Sequence, residues 1–193
     1  MARKDMTPVD VLAFWQAAGR EKWFGGGAAF DAEVRAALLP AHEAAVAGAL
    51  DGWDETPEGA LAWIILMDQV PRNVFRGTPQ AFATDARALA AAERAVARGF
   101  DGAPDIAPGL RSFFYLPFMH AEDRAAQARC VDLYRALGQE EGHEEGQADG
   151  LAFALVHQEI IARFGRFPHR NPILGRRMTA QEQAYLDEGG FSG

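Results

Sequence analysis

Residues 57–68 read PEGALAWIILMD, and this stretch decides the fold. Thr56 followed by Pro57 is a typical helix start, with a capping hydroxyl before proline at the first helical position. Residues 61–67 are apolar on every side of such a helix, so we expect this helix to lie at the centre of an α-helical protein. Pro71 is expected to stop the helix, with Asp68 at its end.

The same start and stop signals recur on both sides of this segment and predict about eight helices. The predicted segments are residues 8–25, 31–48, 57–68, 84–98, 110–120, 123–137, 151–164 and a short helix that begins at the capping box of Thr179 and Glu182. An acidic segment at residues 140–145 is predicted to be a solvated loop. Short connections favour antiparallel pairs, so we predict an all-α single domain over residues 1–193.

The composition limits the class of protein. With 193 residues and 49% hydrophobic residues, the chain can bury a core without disulfides. The single cysteine, Cys130, cannot form an internal disulfide, which fits a reducing compartment. The longest apolar runs, residues 60–67 and 113–119, are too short for a membrane span, and the N-terminus has no apolar signal core. We therefore expect a cytoplasmic protein without membrane partners.

The charge is unevenly distributed along the chain. The net charge of −8 argues against nucleic-acid binding by bulk attraction. Residues 69–84 and 160–178 nevertheless contain seven arginines and no acidic residue. Arginine is the side chain suited to bidentate recognition of carboxylates and phosphates. These two stretches are therefore the predicted anion-binding regions.

In the first stretch, the residues of interest surround Pro71. Asp68 is predicted to lie at the carbonyl end of its helix, where the helix dipole disfavours a negative charge, so its carboxylate needs a nearby cation. Arg72 is close in sequence. One interpretation is a structural clamp between these two residues. The other is a site at a pocket mouth, in which Asp68 orients Arg72 and Arg76 toward a ligand, with Asn73 beside them.

Two histidines are candidates for proton exchange. His120 follows an apolar segment and precedes Glu122, which could orient its imidazole or form only a hydrogen bond at a helix end. His157 lies on an apolar helix face with Phe153 and Ala154, so it is either a satisfied core histidine or part of an internal polar pocket. Together with His169 these residues match no compact metal motif, so we expect neither a metal nor a cofactor.

The second stretch interleaves arginine with phenylalanine. Single-stranded nucleic acid could stack on such a pattern, but the net charge of −15 outside the two stretches would repel a polyanion. A small anion is easier to accommodate. The predicted ligand-binding residues are Arg72, Asn73, Arg76, Glu122, Arg166, His169, Arg170, Asn171 and Arg176.

Five blocks of the sequence form a specific combination: residues 66–77 (LMDQVPRNVFRG), 81–85, 115–122 (with YLPFMH), 157–171 and 174–176. This combination resembles a bacterial family known as domain-of-unknown-function family 924. The resemblance covers nearly the whole chain. The resemblance implies an all-helical fold similar to tetratricopeptide-repeat domains, and it implies no particular activity.

We therefore hypothesise that a concave pocket lined by arginine and histidine binds a small anionic or carboxylate-bearing ligand. An alternative is a helical-repeat interaction module that holds an acidic peptide or C-terminus. In the ligand-binding hypothesis, Asp68, His120 and His157 orient the ligand or exchange protons with it. A further alternative is a hydrolase with His120 or His157 as general base. The sequence does not determine the oligomeric state.

Overall fold

The computed structural model describes residues 6–140 and 147–192, and in that part of the chain the fold is all-α, as predicted. Its eight α-helices are α1 (Pro8–Gly25), α2 (Gly27–Val46), α3 (Pro57–Val74), α4 (Asp85–Ala97), α5 (Leu116–His120), α6 (Arg124–Glu140), α7 (Gln147–Phe164) and α8 (Ala180–Asp187). Most of the predicted acidic loop, residues 141–145, lies outside the described residues. None of the described helices is long and apolar enough to cross a lipid bilayer.

The described residues form two compact units. Unit 1 comprises Met1–Arg76 and Gln80–Pro117, and unit 2 comprises Gly77–Pro79 and Phe118–Gly193. The assignment of residues 1–193 to a single domain stays a prediction, as does the likeness to tetratricopeptide repeats.

Helix α3 forms the centre of unit 1, as the apolar run predicts. It packs against α1, α2 and α4. Leu61, Ile64, Ile65, Leu66 and Met67 are completely buried, so this helix has no solvent-facing side over these turns. The capping prediction at its start is confirmed, because the Thr56 side chain accepts a hydrogen bond from the Gly59 N–H.

Helix α3 does not stop at Pro71, which corrects the sequence prediction. The helix continues to Val74. Proline has no N–H, so the carbonyl four residues earlier, that of Met67, loses its helical donor. The hydroxyl of Thr84 replaces that donor with a hydrogen bond of 2.5 Å to the Met67 oxygen. This bond also explains why Thr84 precedes α4 without capping it through its side chain.

The predicted helix over residues 110–120 is also corrected. The chain forms a 3-10 segment at Pro108–Phe114 and then the five-residue helix α5. Pro117 is the second residue of α5, where a missing N–H is tolerated. The break therefore lies at Tyr115, two residues before the proline, and α5 carries His120 at its end.

Helices α1 and α2 meet at a glycine turn. The predicted stop of α1 at Gly25 is confirmed, but α2 begins at Gly27 and not at residue 31. A Cβ at Gly26 would lie 2.6 Å from the Cβ of Phe30 and 2.7 Å from the Lys22 carbonyl oxygen. Only glycine permits this close approach, which lets the chain reverse with a single residue between the helices.

Unit 2 is built on the packing of α6 against α7. Ile160, Ile161 and Phe167 form its core, with Phe164, Tyr185 and Phe191 packed against them. Helix α7 begins at Gln147, four residues before the predicted start, and ends at the predicted Gly165, whose φ of +71° suits glycine. The capping box that starts α8 is confirmed.

Candidate functional site

In unit 1, Arg72 is held by two carboxylates. Its Nη1 lies 3.2 Å from Oδ1 of Asp68 and 2.9 Å from Oδ1 of Asp85, and its Nη2 lies 3.1 Å from Oδ2 of Asp85. Asp68 is only 1% exposed. Burial alone would lower the pKa of Arg72, but the charges of Asp68 and Asp85 outweigh it and raise that pKa. The clamp interpretation of these residues therefore has direct geometric support.

The reason that Asp68 needs this cation differs from the predicted one. Asp68 lies inside α3 and not at its carbonyl end, so its burial and not the helix dipole makes the ion pair necessary. Gln69 donates from Nε2 to Asp68 Oδ2 at 2.6 Å. Arg72 and Asn73 also donate to the carbonyl oxygens of Asp68 and Gln69, respectively, within the same turn.

Arg76 has a partner in α2. Its Nε and Nη2 each lie 2.8 Å from a carboxylate oxygen of Asp31, which makes a bidentate ion pair. The Arg76 side chain is 62% exposed, so this pair is a surface feature. The predicted anion-binding arginines of unit 1 thus already bind carboxylates of unit 1.

In unit 2, the same is true of Arg166 and Arg176. Arg166 forms a bidentate pair with Glu182, at 2.6 and 2.8 Å. Its hydrogen bond to Glu182 is the main cause that lowers the pKa of this carboxyl to about 2. Arg176 donates to both oxygens of Glu122 at 2.6 and 2.8 Å.

Glu122 connects Arg176 to the loop that follows α7. It accepts the N–H of Phe167 at 2.8 Å. Burial would raise the pKa of Glu122, but the hydrogen bonds from Arg176 and Phe167 outweigh it and lower that pKa. Asn171 is completely buried, and its Oδ1 accepts from Arg176 Nε at 2.9 Å. Glu122 is therefore a structural anchor for this loop.

His157 is buried in unit 2, as its place on the helix predicts, although Phe153 on the same predicted face is 52% exposed. Its Nδ1 lies 2.8 Å from the carbonyl oxygen of Phe153. A carbonyl can only accept, so Nδ1 carries the proton. Burial lowers the pKa of His157 to about 4, which keeps the ring neutral near pH 7 and leaves an unprotonated lone pair on Nε2.

His169 lies in the same group of rings. The rings of Phe167 and Phe191 each contact both imidazoles, with centroid distances of 5.4 and 4.6 Å to His157 and of 5.7 and 5.4 Å to His169. Burial, followed by the charge of Arg170, lowers the pKa of His169 to about 4. Its Nδ1 is buried and has no hydrogen-bond partner among the described residues.

Arg170 supplies a cation to this group. It is 6% exposed, and its guanidinium lies 4.7 Å from the ring centroid of Phe167. Its Nη2 donates to the carbonyl oxygen of His120 at 3.0 Å. Its charge lowers the pKa of both His157 and His169. We call His157, His169, Arg170, Phe167 and Phe191 the imidazole cluster.

The predicted site residues are divided between the two units. Asp68, Arg72, Asn73 and Arg76 lie in unit 1. His120, Glu122, His157, Arg166, His169, Arg170, Asn171 and Arg176 lie in unit 2. In the described part of the chain, no group of three or more His, Cys, Asp or Glu side chains is arranged to hold a metal ion.

Sequence reasoning missed three of the carboxylates that bind the arginines. Asp31, Asp85 and Glu182 lie outside the acid-free stretches, so the local charge count did not connect them to the arginines. Glu182 was recognised in the sequence only as part of the capping box with Thr179, and not as a partner of an arginine. Phe191, which contacts both imidazoles, carried none.

In the described part of the chain, these features define an all-α protein whose arginines pair with carboxylates in both units and whose unit 2 holds the imidazole cluster. The chain belongs to the family described as bacterial protein of unknown function, domain-of-unknown-function family 924, which matches residues 11–190. It is also similar to the solved structure of a protein of unknown function from Agrobacterium tumefaciens, with 47% sequence identity, a TM-score of 0.84 and coverage of 94% of this chain and 97% of the other. No curated protein matches the sequence.

Proposed function

We propose that this protein binds a small carboxylate-bearing ligand at the imidazole cluster of unit 2. The observation that supports this proposal is the buried Nδ1 of His169, which has no hydrogen-bond partner in the described part of the chain. A buried polar atom without a partner costs about 1–3 kcal/mol. Such an atom marks a position where a bound molecule can complete the hydrogen bonding.

The charges of the cluster favour an anion. Both imidazoles have a pKa of about 4 and are neutral near pH 7, so Arg170 provides the positive charge. A planar guanidinium suits a carboxylate, since two parallel N–H donors match its two oxygens.

The neutral imidazoles and the rings beside them indicate which further groups the ligand carries. The Nε2 lone pair of His157 accepts a hydrogen bond, which favours a hydroxyl group on the ligand. The ring of Phe191, which is only partly buried, provides apolar contact for a short carbon chain. A hydroxy acid or related carboxylate combines these features, whereas inorganic phosphate lacks the apolar part.

The hydrolase alternative has less support at this cluster. A general base works best with a pKa near the operating pH. The pKa of about 4 makes the His157 imidazole a weak base, so it is better suited to hydrogen bonding than to proton abstraction.

Thermal unfolding with added ligands tests the proposal. The panel contains short hydroxy, keto and dicarboxylic acids, inorganic phosphate, and an acidic peptide with a free or amidated C-terminus. A ligand at about 100 times its Kd adds about 2.7 kcal/mol of stability, which raises Tm by roughly 5–10 °C in a chain of this size. We expect at least one small carboxylate to do so and phosphate to do less.

Two variants locate the effect. His169→Phe keeps an aromatic ring between Phe167 and Phe191 but removes the nitrogens, so we expect unchanged or higher Tm without ligand and no ligand-induced rise. Arg170→Lys keeps the charge but loses the planar donors, and we expect a weaker rise. Arg177→Gln removes an exposed charge and serves as the control. A rise that survives in His169→Phe contradicts the proposal. A rise with the acidic peptide alone supports the interaction-module alternative instead.

A further inference from the structure

A second polar feature of unit 2 lies between α6 and α7, apart from the imidazole cluster. These helices form an open groove with a volume of about 360 Å³. Leu155, Gln158, Glu159 and Ala162 line it from α7, and their spacing places them along one face of that helix. Arg124 and Gln127 line it from the first turns of α6.

Gln127 has an unusual environment in this groove. It is completely buried, and its Nε2 lies 3.2, 2.7 and 2.8 Å from the carbonyl oxygens of Phe118, Met119 and Ala121. These three acceptors fix the orientation of the amide, because only its nitrogen can donate to them. The amide oxygen Oε1 is buried and has no hydrogen-bond partner among residues 6–140 and 147–192. The three bonds from Nε2 therefore fix Gln127 as a rigid part of the groove lining.

The two walls of the groove carry opposite charges. Arg124 contributes a guanidinium from α6, and its Nη2 donates to the Ala162 carbonyl oxygen at 2.9 Å. A guanidinium has five N–H donors, so donors remain for a carboxylate. Glu159 contributes a carboxylate from α7, which suits an ammonium group. Leu155 is 42% exposed at the groove and provides an apolar surface.

We propose that this groove binds a free α-amino acid as its zwitterion. The carboxylate of the ligand pairs with Arg124, and its ammonium group donates to Glu159; these residues are the two exposed charges of the groove. The ligand side chain lies against Leu155 and Ala162. The volume of the groove is at the small end of the range for ligand sites, which fits a molecule of this size. This proposal does not rest on the function proposed above, since none of the groove residues belongs to the imidazole cluster.

Amide chemical shifts of the full chain, measured by two-dimensional ¹H–¹⁵N NMR, test the proposal. The probes are the common free L-α-amino acids, each added to about 10 mM. We expect at least one of them to cause saturable shifts at the groove residues of α6 and α7. The N-acetylated and the C-terminally amidated forms of that amino acid each lose one charge of the zwitterion, so we expect both to bind at least about tenfold more weakly.

Variants at the groove rim complete the test. Arg124→Gln and Glu159→Gln each remove one charged partner, and we expect each to weaken binding at least about tenfold. Gln127 itself is not replaced, because it holds three backbone carbonyls. Asp132→Asn and Arg135→Gln make the same kinds of change at an exposed pair of α6 and serve as controls, with no change expected. If Arg124→Gln does not fold, Glu159→Gln decides the result.

Three results would overturn the proposal. The first is the absence of saturable shifts with every amino acid, and the second is shifts confined to residues outside the groove. The third is equal binding by the blocked forms or by the two groove variants.

Discussion

Two segments of the chain with similar sequences give opposite results. Residues 68–73 (DQVPRN) and 166–171 (RFPHRN) both follow an apolar helix and share a proline, an arginine and an asparagine. In unit 1 the first segment stays helical, and its buried Asp68 is matched by Gln69 and Arg72. In unit 2 the second segment leaves its helix at Gly165 and forms a 3-10 turn that carries His169 and Arg170.

The difference lies in how far each segment satisfies its polar atoms. Around Pro71, the carbonyl without a helical donor receives one from Thr84. Around Pro168, the turn places His169 Nδ1 in a buried position without a partner in the described chain. The first arrangement stabilises the fold, and the second is the kind expected where a ligand binds. Buried arginine near proline is thus compatible with either role.

The largest expected effect follows from breaking the unit 1 network. Asp68→Ala removes a 1% exposed carboxylate, which leaves the buried Gln69 amide without that acceptor and the half-buried Arg72 with Asp85 as its remaining carboxylate. We expect the free energy of unfolding in urea to fall by about 3–5 kcal/mol. Asp132→Ala, at a carboxylate that is 63% exposed, is the control and should cost no more than about 1 kcal/mol. Equal losses in the two variants would show that the network is not structural.

Acid should weaken unit 2 through its imidazoles. The pKa of His157 is about 4 in the folded chain, against 6.5 ordinarily, so between these values the unfolded chain binds more protons. Stability is therefore lost as the pH falls from about 6.5 to about 4. Between pH 7.5 and pH 5 the loss from this group is about 2 kcal/mol.

The charges of His120, His169 and Arg170 also lower the pKa of His157, so other groups nearby take part in the titration of unit 2. The variant His157→Phe removes the titrating imidazole itself and therefore tests its share of the loss. Unfolding in urea at pH 7.5 and pH 5 should show a smaller loss in the variant than in the unaltered chain. Identical losses would place the pH dependence elsewhere.

The hydroxyl of Thr84 should matter only because Pro71 is present. Thr84→Val leaves the Met67 carbonyl oxygen without its donor and should cost about 1–2 kcal/mol. Pro71→Ala restores an N–H to the helix, so in that background the same change should cost less. A double-mutant cycle measured by urea unfolding gives the coupling. Independent, additive losses are the contrary result.

The smallest effect is expected at the surface of unit 1. Arg76→Gln breaks the pair with Asp31, but the Arg76 side chain is 62% exposed. We expect a loss of about 0–1 kcal/mol, further reduced at high salt. A loss as large as that of Asp68→Ala would mean that the exposure of an ion pair in unit 1 does not determine how much it stabilises the fold.

Local patterns predicted most of the helices, because caps, glycines and apolar periodicity act within a few residues. Thr56, Gly165 and the Thr179 capping box all marked true helix ends. The continuation of α3 past Pro71 could not be predicted in this way, since it depends on a hydroxyl 17 residues away from the Met67 carbonyl.

The candidate site was predicted only in part. The burial of His157 was predicted from its position on a helix. Its contacts with Phe167 and Phe191 were not, because these residues are distant from it in the sequence. The acid-free stretches overstated the free positive charge, because the partners of Arg76 and Arg166 are 45 and 16 residues away, respectively. Contacts over such separations depend on tertiary packing.

Long-range ¹H–¹⁵N NMR of the imidazole rings at pH 7 tests the central claim most directly. We expect neutral rings with a protonated Nδ1 for both His42 and His157, because Nδ1 of each ring lies within hydrogen-bond distance of a backbone carbonyl oxygen, at 2.9 and 2.8 Å, respectively. Adding the small carboxylate that raises Tm should shift the nitrogens of His169 and leave those of His42, in unit 1, unchanged. A charged His157 or His169 at pH 7, or nitrogens of His169 that stay unchanged with that ligand, would contradict it.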